Sequence, residues 1–137
     1  MLMGNREAGQ KLGLKPKAKI VSTASAADDP CIMLTAPPTA TAKALRRAGL
    51  TFDDIDLFEV NEAFASVALY FMEQTKVPFE RINVSGGAIA MGHPVGATGA
   101  ALVGTAVNSM LQRHAEHCVV TMCTGLGMGV ATVLQRV

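Results

Sequence analysis

The hydrophobic and polar residues of this chain form short apolar stretches that are separated by longer amphipathic ones. The apolar stretches are brief and rich in β-branched residues, which is typical of strands buried in a sheet. This pattern predicts five strands, over residues 19–24, 57–60, 82–84, 118–123 and 130–136. A short glycine-rich stretch separates the last two, so we expect these to form an antiparallel pair.

Helices are predicted between the strands. One runs from Pro37 to Ala48, because prolines are favoured in the first turn of a helix and Gly49 follows the last turn. Two more are predicted over residues 62–74 and 97–115. The resulting order, βαβαβαββ, predicts an α/β fold in which a mixed five-stranded sheet carries helices on both faces.

The helix predicted over residues 97–115 is unusual, because its residues from Ala97 to Met110 are small or apolar nearly all round. Such a helix is expected to be buried on every side, which would need a second sheet on its far side. The charge content points the same way, since 17% of the residues are charged, against about 25% in typical domains. We therefore expect part of this surface to be covered by another segment of protein.

Charge and cysteine content argue against several classes of protein. The net charge is +1, and the lysines between Lys11 and Lys19 have no aromatic residues among them, so nucleic-acid binding is not expected. The longest apolar run, from Phe64 to Met72, is nine residues, whereas a membrane span needs ~18. Three cysteines without a repeating spacing are typical of reduced thiols, which favours a cytoplasmic location.

Candidate catalytic side chains follow three of the predicted strands. Asn61 comes directly after the strand LFEV, His93 lies in the loop after INV, and Cys123 ends the strand CVVTMC. Ligands of open α/β sheets bind at the carboxyl ends of the strands. An amide, an imidazole and a thiol are therefore expected to meet at one edge of the sheet, which is what a composite active site requires.

Other interpretations of these residues remain open. Taken alone, Asn61 is a plausible helix cap, His93 a hydrogen-bonding residue of a turn, and Cys123 a core residue. The glycine-rich segment, residues 86–99, matches neither the dinucleotide fingerprint nor the phosphate-binding loop. A zinc site built from His114, His117, Cys118 and Cys123 is disfavoured, because alternation along a strand places the two cysteines on opposite faces.

Three sequence blocks resemble, in order, the catalytic blocks of the carboxy-terminal half of the thiolase family. They are NEAFA from Asn61, GGAIAMGHPVGATGA from Gly86 and CTG from Cys123. Asn61 and His93 are 32 residues apart, and His93 and Cys123 are 30 apart, which also fits the family. The likeness covers nearly the whole chain, including KIVSTASAADDPCIM and GMGVATVLQRV. It implies that residues 17–137 form the carboxy-terminal domain and that residues 1–16 are a helix end belonging to an amino-terminal half.

The resemblance implies a reversible Claisen condensation, or thiolysis, of 3-ketoacyl-coenzyme A. Cys123 would be the base at the α-carbon, helped by a lowered pKa near His93 and the glycine turn. His93 would activate the acyl-accepting nucleophile and donate its ring N–H to the thioester oxygen. Asn61 would hold a water that completes this oxyanion hole, and the N–H of Gly125 would serve a second one. Met33 and Phe64 would line the acyl pocket.

The thiolase nucleophile and the loop that holds much of coenzyme A belong to the amino-terminal half of the family, and neither is present here. Cys31, in the context DPCIM, lacks the glycine-rich setting at the start of a helix that the nucleophile would need. The expected partners are therefore coenzyme A thioesters and an amino-terminal thiolase half or a second copy, with no metal and no cofactor beyond the substrate. The alternatives are a non-catalytic remnant or binding module of the same fold, and a decarboxylating ketoacyl synthase. The synthase is disfavoured because it does not need a base such as Cys123.

Overall fold

The structure, a computed structural model, describes all 137 residues of the chain. Four strands and five helices follow one another, together with a single 3₁₀ turn at Phe79–Arg81. In chain order they are α1 (Arg6–Lys11), β1 (Ala18–Ala27), α2 (Pro37–Ala48), β2 (Leu57–Val60), α3 (Ala65–Thr75), α4 (Ala88–Met91), α5 (Thr98–Arg113), β3 (His117–Cys123) and β4 (Met128–Arg136). None of the helices is both long and apolar enough to cross a membrane.

The strands form one mixed sheet in the order β1-β4-β3-β2. β2 and β3 are parallel, whereas β4 is antiparallel to both β1 and β3. The α/β class and the antiparallel last pair are therefore confirmed. Because β2 and β3 run in the same direction, the residues that follow them, Asn61 and Thr124, emerge from the same edge of the sheet.

The predicted strand over residues 82–84 is wrong, since only Ile82 forms a bridge, a parallel one with Phe58. Asn83 adopts a positive φ of 48°, which takes the backbone out of the extended conformation. Its side chain takes over the pairing with β2: Oδ1 accepts from the N–H of Val60 at 2.8 Å, and Nδ2 donates to the Val60 carbonyl at 2.9 Å. The Asn83 side chain thus makes two hydrogen bonds to β2 that the backbone of a fifth strand would otherwise make.

The two faces of the sheet bury two separate hydrophobic clusters. On one face, Phe58 and Val119 pack beneath α2 and α3 together with Phe71. On the other face, Cys118 and Val120 pack beneath α5. Helices therefore cover both faces, as predicted, and the alternation along β3 explains why its neighbouring residues enter different clusters.

Helix α2 has the predicted bounds, and Gly49 ends it at a φ of 71°, where its N–H reaches the carbonyls of Leu45 and Arg46. Helix α3 begins three residues later than predicted, at Ala65, because Phe64 is extended with φ −148° and ψ 157°. Helix α1 has no buried residues, so it does not pack on the sheet.

Helix α5 is buried on one face only. Leu102, Ala106 and Met110 pack on the sheet, whereas Ala100, Ala101 and Asn108 are exposed. The expectation of burial on every side is therefore not met within this chain, since nothing in it covers the outer face of α5. We call the exposed Ala100, Ala101 and Asn108 with the partly buried Gly104 and Leu111 the outer face of α5.

Candidate active site

Asn61 and His93 meet at the carboxyl edge of the sheet. The backbone N–H of Asn61 donates to the carbonyl of Thr121 at 2.9 Å, which continues the pairing of β2 with β3 by one residue. Asn61 is completely buried, and its Nδ2 lies 3.4 Å from Nε2 of His93. Its Oδ1 has no hydrogen-bond partner. A buried amide oxygen is costly to leave unpaired, so an ordered water beside it would satisfy an unmet hydrogen bond.

His93 is held from its other side by the start of α5. Its Nδ1 lies 2.7 Å from Oγ1 of Thr98, the first residue of that helix. Gly92, with a φ of 88°, makes the turn that brings the histidine to this position. The imidazole is thus fixed through both ring nitrogens, between the end of β2 and the beginning of α5.

Glu62 anchors the glycine-rich segment. One of its carboxylate oxygens accepts from Nδ2 of Asn83 at 2.9 Å, and the other accepts from the backbone N–H of Ile89 at 3.0 Å. A Cβ at Gly87 would collide with the Glu62 carboxylate, so any side chain there would require Glu62 to shift. Sequence reasoning missed the roles of Glu62 and Asn83, although Glu62 directly follows the candidate Asn61.

Cys123 is the last residue of β3 and is 6% exposed. Burial raises the pKa of its thiol above the ordinary value, and its own backbone N–H lowers it by less. The expected lowering of this pKa is therefore wrong. The sequence shows that a histidine and glycines lie near the cysteine, but it does not show how far the sulfur is removed from water.

A cavity of about 530 Å³ connects the predicted residues, and we call it the site cavity. His93, Cys123, Gly125 and Phe64 all line it. Met33 does not line it, whereas the neighbouring Leu34 does. The complete lining is Leu34, Ala63, Phe64, His93, Val95, Met122, Cys123, Thr124 and Gly125. Asn61 reaches the site through its contact with His93, so the amide, the imidazole and the thiol gather in one place.

The turn between β3 and β4 contains a backbone N–H without a partner, in a residue that lines this cavity. Gly125 has a φ of 77°, and its carbonyl accepts from the N–H of Met128 at 2.9 Å. Its own N–H makes no hydrogen bond within the chain. A free backbone N–H at the wall of an apolar cavity is suited to binding an anionic oxygen.

The two cysteines of the disfavoured zinc site, Cys118 and Cys123, lie apart in the structure. Cys118 belongs to the cluster under α5, whereas Cys123, five residues along the same strand, lines the site cavity. Desolvation also raises the pKa of the Cys118 thiol, and the nearby Glu59 carboxylate raises it further. Cys118 is therefore a core thiol beneath α5, as its apolar setting suggested.

Comparison with known proteins identifies the family of the chain. Residues 14–136 match the family model described as "Thiolase, C-terminal domain". The chain is 49% identical to proteins named 3-ketoacyl-CoA thiolase from Alcanivorax borkumensis and Aliivibrio salmonicida, over 100% and 99% of its length respectively. It spans 36% of the length of each of these relatives. On this evidence the chain belongs to the thiolase family and corresponds to its carboxy-terminal domain.

Proposed function

We propose that this chain supplies the proton-transfer and oxyanion-binding part of a 3-ketoacyl-coenzyme A thiolase. The reaction is the reversible Claisen condensation of acyl-coenzyme A thioesters, read in the other direction as thiolysis. The observation that carries the proposal is the site cavity, where His93, Cys123 and the free N–H of Gly125 converge. The names of the relatives, which are 3-ketoacyl-CoA thiolases, support this choice of substrate class.

Cys123, in its thiolate form, takes the α-proton of the thioester and becomes the thiol, which returns that proton in the reverse direction. The α-carbon of a thioester is a weak acid, so a thiolate of raised pKa is the stronger base towards it, although a smaller share of the thiol is ionised at neutral pH. Burial supplies that raised pKa. The same apolar cavity keeps water away from the carbanion that forms, and water is the competing proton donor.

The charge that develops on the thioester oxygen needs donors at fixed positions. His93 donates from Nε2, and Asn61, 3.4 Å away from that nitrogen, holds a water that provides the second donor. The unpaired Oδ1 of Asn61 is the acceptor that would orient such a water. Gly125 offers its N–H to the oxygen of the acyl-enzyme on the other side of the cavity.

The acyl-accepting nucleophile comes from an amino-terminal thiolase half. Cys31 is exposed, its N–H donates to Asp29 at 2.7 Å, and it does not line the site cavity. A covalent mechanism requires a nucleophile within reach of the base that activates it. His93 takes the proton of that incoming thiol and thereby links the two halves of the reaction.

A complementation assay tests this function. The purified chain is mixed with a separately produced amino-terminal thiolase half, and thiolysis of acetoacetyl-coenzyme A is followed by the loss of substrate. We expect turnover only when both components are present. Cys123→Ala and His93→Ala should each abolish this turnover while the variants still bind the amino-terminal half. Absence of activity in every such mixture, with thioester binding retained, would contradict the proposal and favour a binding module.

A further inference from the structure

The hydroxyl of Thr98 has two neighbours that can accept its proton. Thr98 is the first residue of α5 and is 4% exposed. Its Oγ1 lies 2.7 Å from Nδ1 of His93 and 3.0 Å from the carbonyl oxygen of Pro94. The hydroxyl carries one proton, so it donates to one of these atoms at a time, and that choice fixes which ring nitrogen of His93 carries hydrogen.

The Pro94 carbonyl is already occupied. It accepts from the backbone N–H of Ala97 at 2.8 Å and from that of Thr98 at 2.9 Å. A carbonyl oxygen has two lone pairs, so the hydroxyl would be a third donor there. The shorter contact, to Nδ1 of His93, also has the length most common for hydroxyl donors, about 2.7–2.8 Å. Both observations assign the hydroxyl proton to the contact with His93.

The second ring nitrogen must then carry the hydrogen of the neutral imidazole. Nε2 lies 3.4 Å from Nδ2 of Asn61, which is longer than the usual ~3.2 Å limit for an N–H donor bonded to its acceptor. At that length the pair is at most a weak hydrogen bond, so hydrogen on Nε2 gives up little there. Because His93 lines the site cavity, its Nε2–H can donate to an oxygen bound there.

We propose that Thr98 is a positioning residue, which holds neutral His93 in the tautomer protonated at Nε2. His93 then presents an uncharged N–H donor to the oxygen of a bound thioester. The identity of that oxygen rests on the proposed function, whereas the tautomer does not. The ring is a base at Nε2 only in the other tautomer, where Nδ1–H donates to Thr98 and the hydroxyl turns to Pro94. The resting protein therefore favours the donor form.

Nitrogen-15 NMR of the side-chain imidazoles tests the tautomer directly. The chain is labelled, the pH is raised until the ring signals stop shifting, and His93 is distinguished from His114 and His117 by single His→Gln variants. We expect hydrogen on Nε2 of His93 and a hydrogen-bonded, unprotonated Nδ1. Thr98→Val, of nearly the same shape, should give a mixture of tautomers and lose the hydrogen-bonded Nδ1 signal. Thr98→Ser keeps the hydroxyl and should restore the original spectrum.

Hydrogen on Nδ1 of His93 in the unaltered protein would overturn the proposal, even if the valine variant failed to fold. An unchanged spectrum in a folded Thr98→Val variant would also overturn it. In the complex with an amino-terminal thiolase half, Thr98→Val should lower kcat about tenfold with little change in KM, because a donor acting mainly in the transition state is weakened. Thr98→Ser should retain activity. If no mixture turns over, the proposed function fails, while the spectra still decide the role of Thr98.

Discussion

The three cysteines of this chain carry the same thiol group but differ in how deeply it is buried. Cys31 is exposed, whereas Cys123 and Cys118 are buried, and burial raises the thiol pKa of both. The thiolate is the reactive form of cysteine, so a raised pKa and a buried sulfur both slow alkylation. The reactivity of each cysteine therefore reports its environment in the folded chain.

We expect iodoacetamide at pH 8 to modify Cys31 first, Cys123 several times more slowly, and Cys118 only after unfolding. Peptide mass spectrometry over time measures the three rates. A Cys31→Ser variant separates the second rate from the first, and raising the pH should speed the reaction of Cys123 as its thiolate becomes more populated. Equal rates for Cys31 and Cys123 would contradict the burial described for the site cavity.

Glu59 is a buried acid that the proposed chemistry does not use. It is 2% exposed, and desolvation, with a smaller contribution from the charge of Glu62, raises its pKa from 4.5 to about 7. The folded protein thus retains a proton that the unfolded chain releases between these two pH values. The stability associated with that proton is fully present below pH 4.5 and is lost as the pH rises through about 7.

Glu59→Gln replaces this acid by a neutral side chain of the same shape. We expect the variant to equal the unaltered protein near pH 4 and to be more stable by roughly 2–3 kcal/mol at pH 8. Urea unfolding at both pH values gives the free energies, with the exposed Glu80→Gln as the matched control. An equal effect of Glu59→Gln at the two pH values would show that Glu59 ionises as freely as a surface residue.

At the residue level, the sequence predicted which side chains gather but not their electrostatic state. Asn61 and Cys123 were identifiable because they stand at the carboxyl ends of short apolar strands, whereas the strand predicted before His93 does not form. The direction of the Cys123 pKa shift was not predictable from the sequence, because desolvation depends on every residue that surrounds the sulfur. Thr98 was missed for a similar reason, since its contact with His93 exists only once residues 94–97 have turned, with the N–H groups of Ala97 and Thr98 bonded to the Pro94 carbonyl.

At the level of elements, the packing of Glu62 against Gly87 determines where the glycine-rich segment lies. Gly87→Ala would push its methyl group into the Glu62 carboxylate and disturb the hydrogen bonds to Asn83 and Ile89. We expect a loss of about 1–3 kcal/mol in unfolding free energy.

Gly104→Ala is the matched control, because the space beside Gly104 in α5 is open. Alanine there should stabilise the chain by about 0.5–1 kcal/mol, through helix propensity alone. Thermal and urea unfolding of both variants measure the difference. Similar effects of the two substitutions would mean that Glu62 moves aside at little cost.

Element boundaries were predictable where the termination signal is local. Gly49 ends α2 as expected, because a glycine at a left-handed position acts on its own helix. Two other predictions, the strand over residues 82–84 and the start of α3 at residue 62, were wrong because the contacts that decide them are not local. In both places a side chain, that of Asn83 or Glu62, bonds to residues more than twenty positions away along the chain.

For the molecule as a whole, the outer face of α5 is the surface on which we expect an amino-terminal half to dock. Ala101 lies at the amino-terminal end of this surface, is exposed, and belongs to the first turn of the helix. An acid is tolerated in that turn, so Ala101→Asp should leave the chain folded. A charge at an apolar interface should nevertheless weaken association with the amino-terminal half by at least about tenfold.

Ser66→Asp is the matched control, since Ser66 is exposed in the first turn of α3 on the opposite side of the sheet. Isothermal titration of each variant with the amino-terminal half measures the affinity, and circular dichroism checks the fold. Equal affinities for the two variants would place the docking surface elsewhere. The sequence indicated that α5 has two apolar sides, and the folded chain is needed to identify the side that remains open.

Helix α5 carries Thr98 at its first residue and the open surface along its length. A partner that presses on that surface and displaces the helix, even slightly, would alter the contact between the Thr98 hydroxyl and the His93 ring. Docking of the second half and positioning of His93 would then occur together, because helix α5 provides both the docking surface and the contact of Thr98 with the imidazole. The isolated domain would then remain inactive until the amino-terminal half binds, without a separate lid or switch.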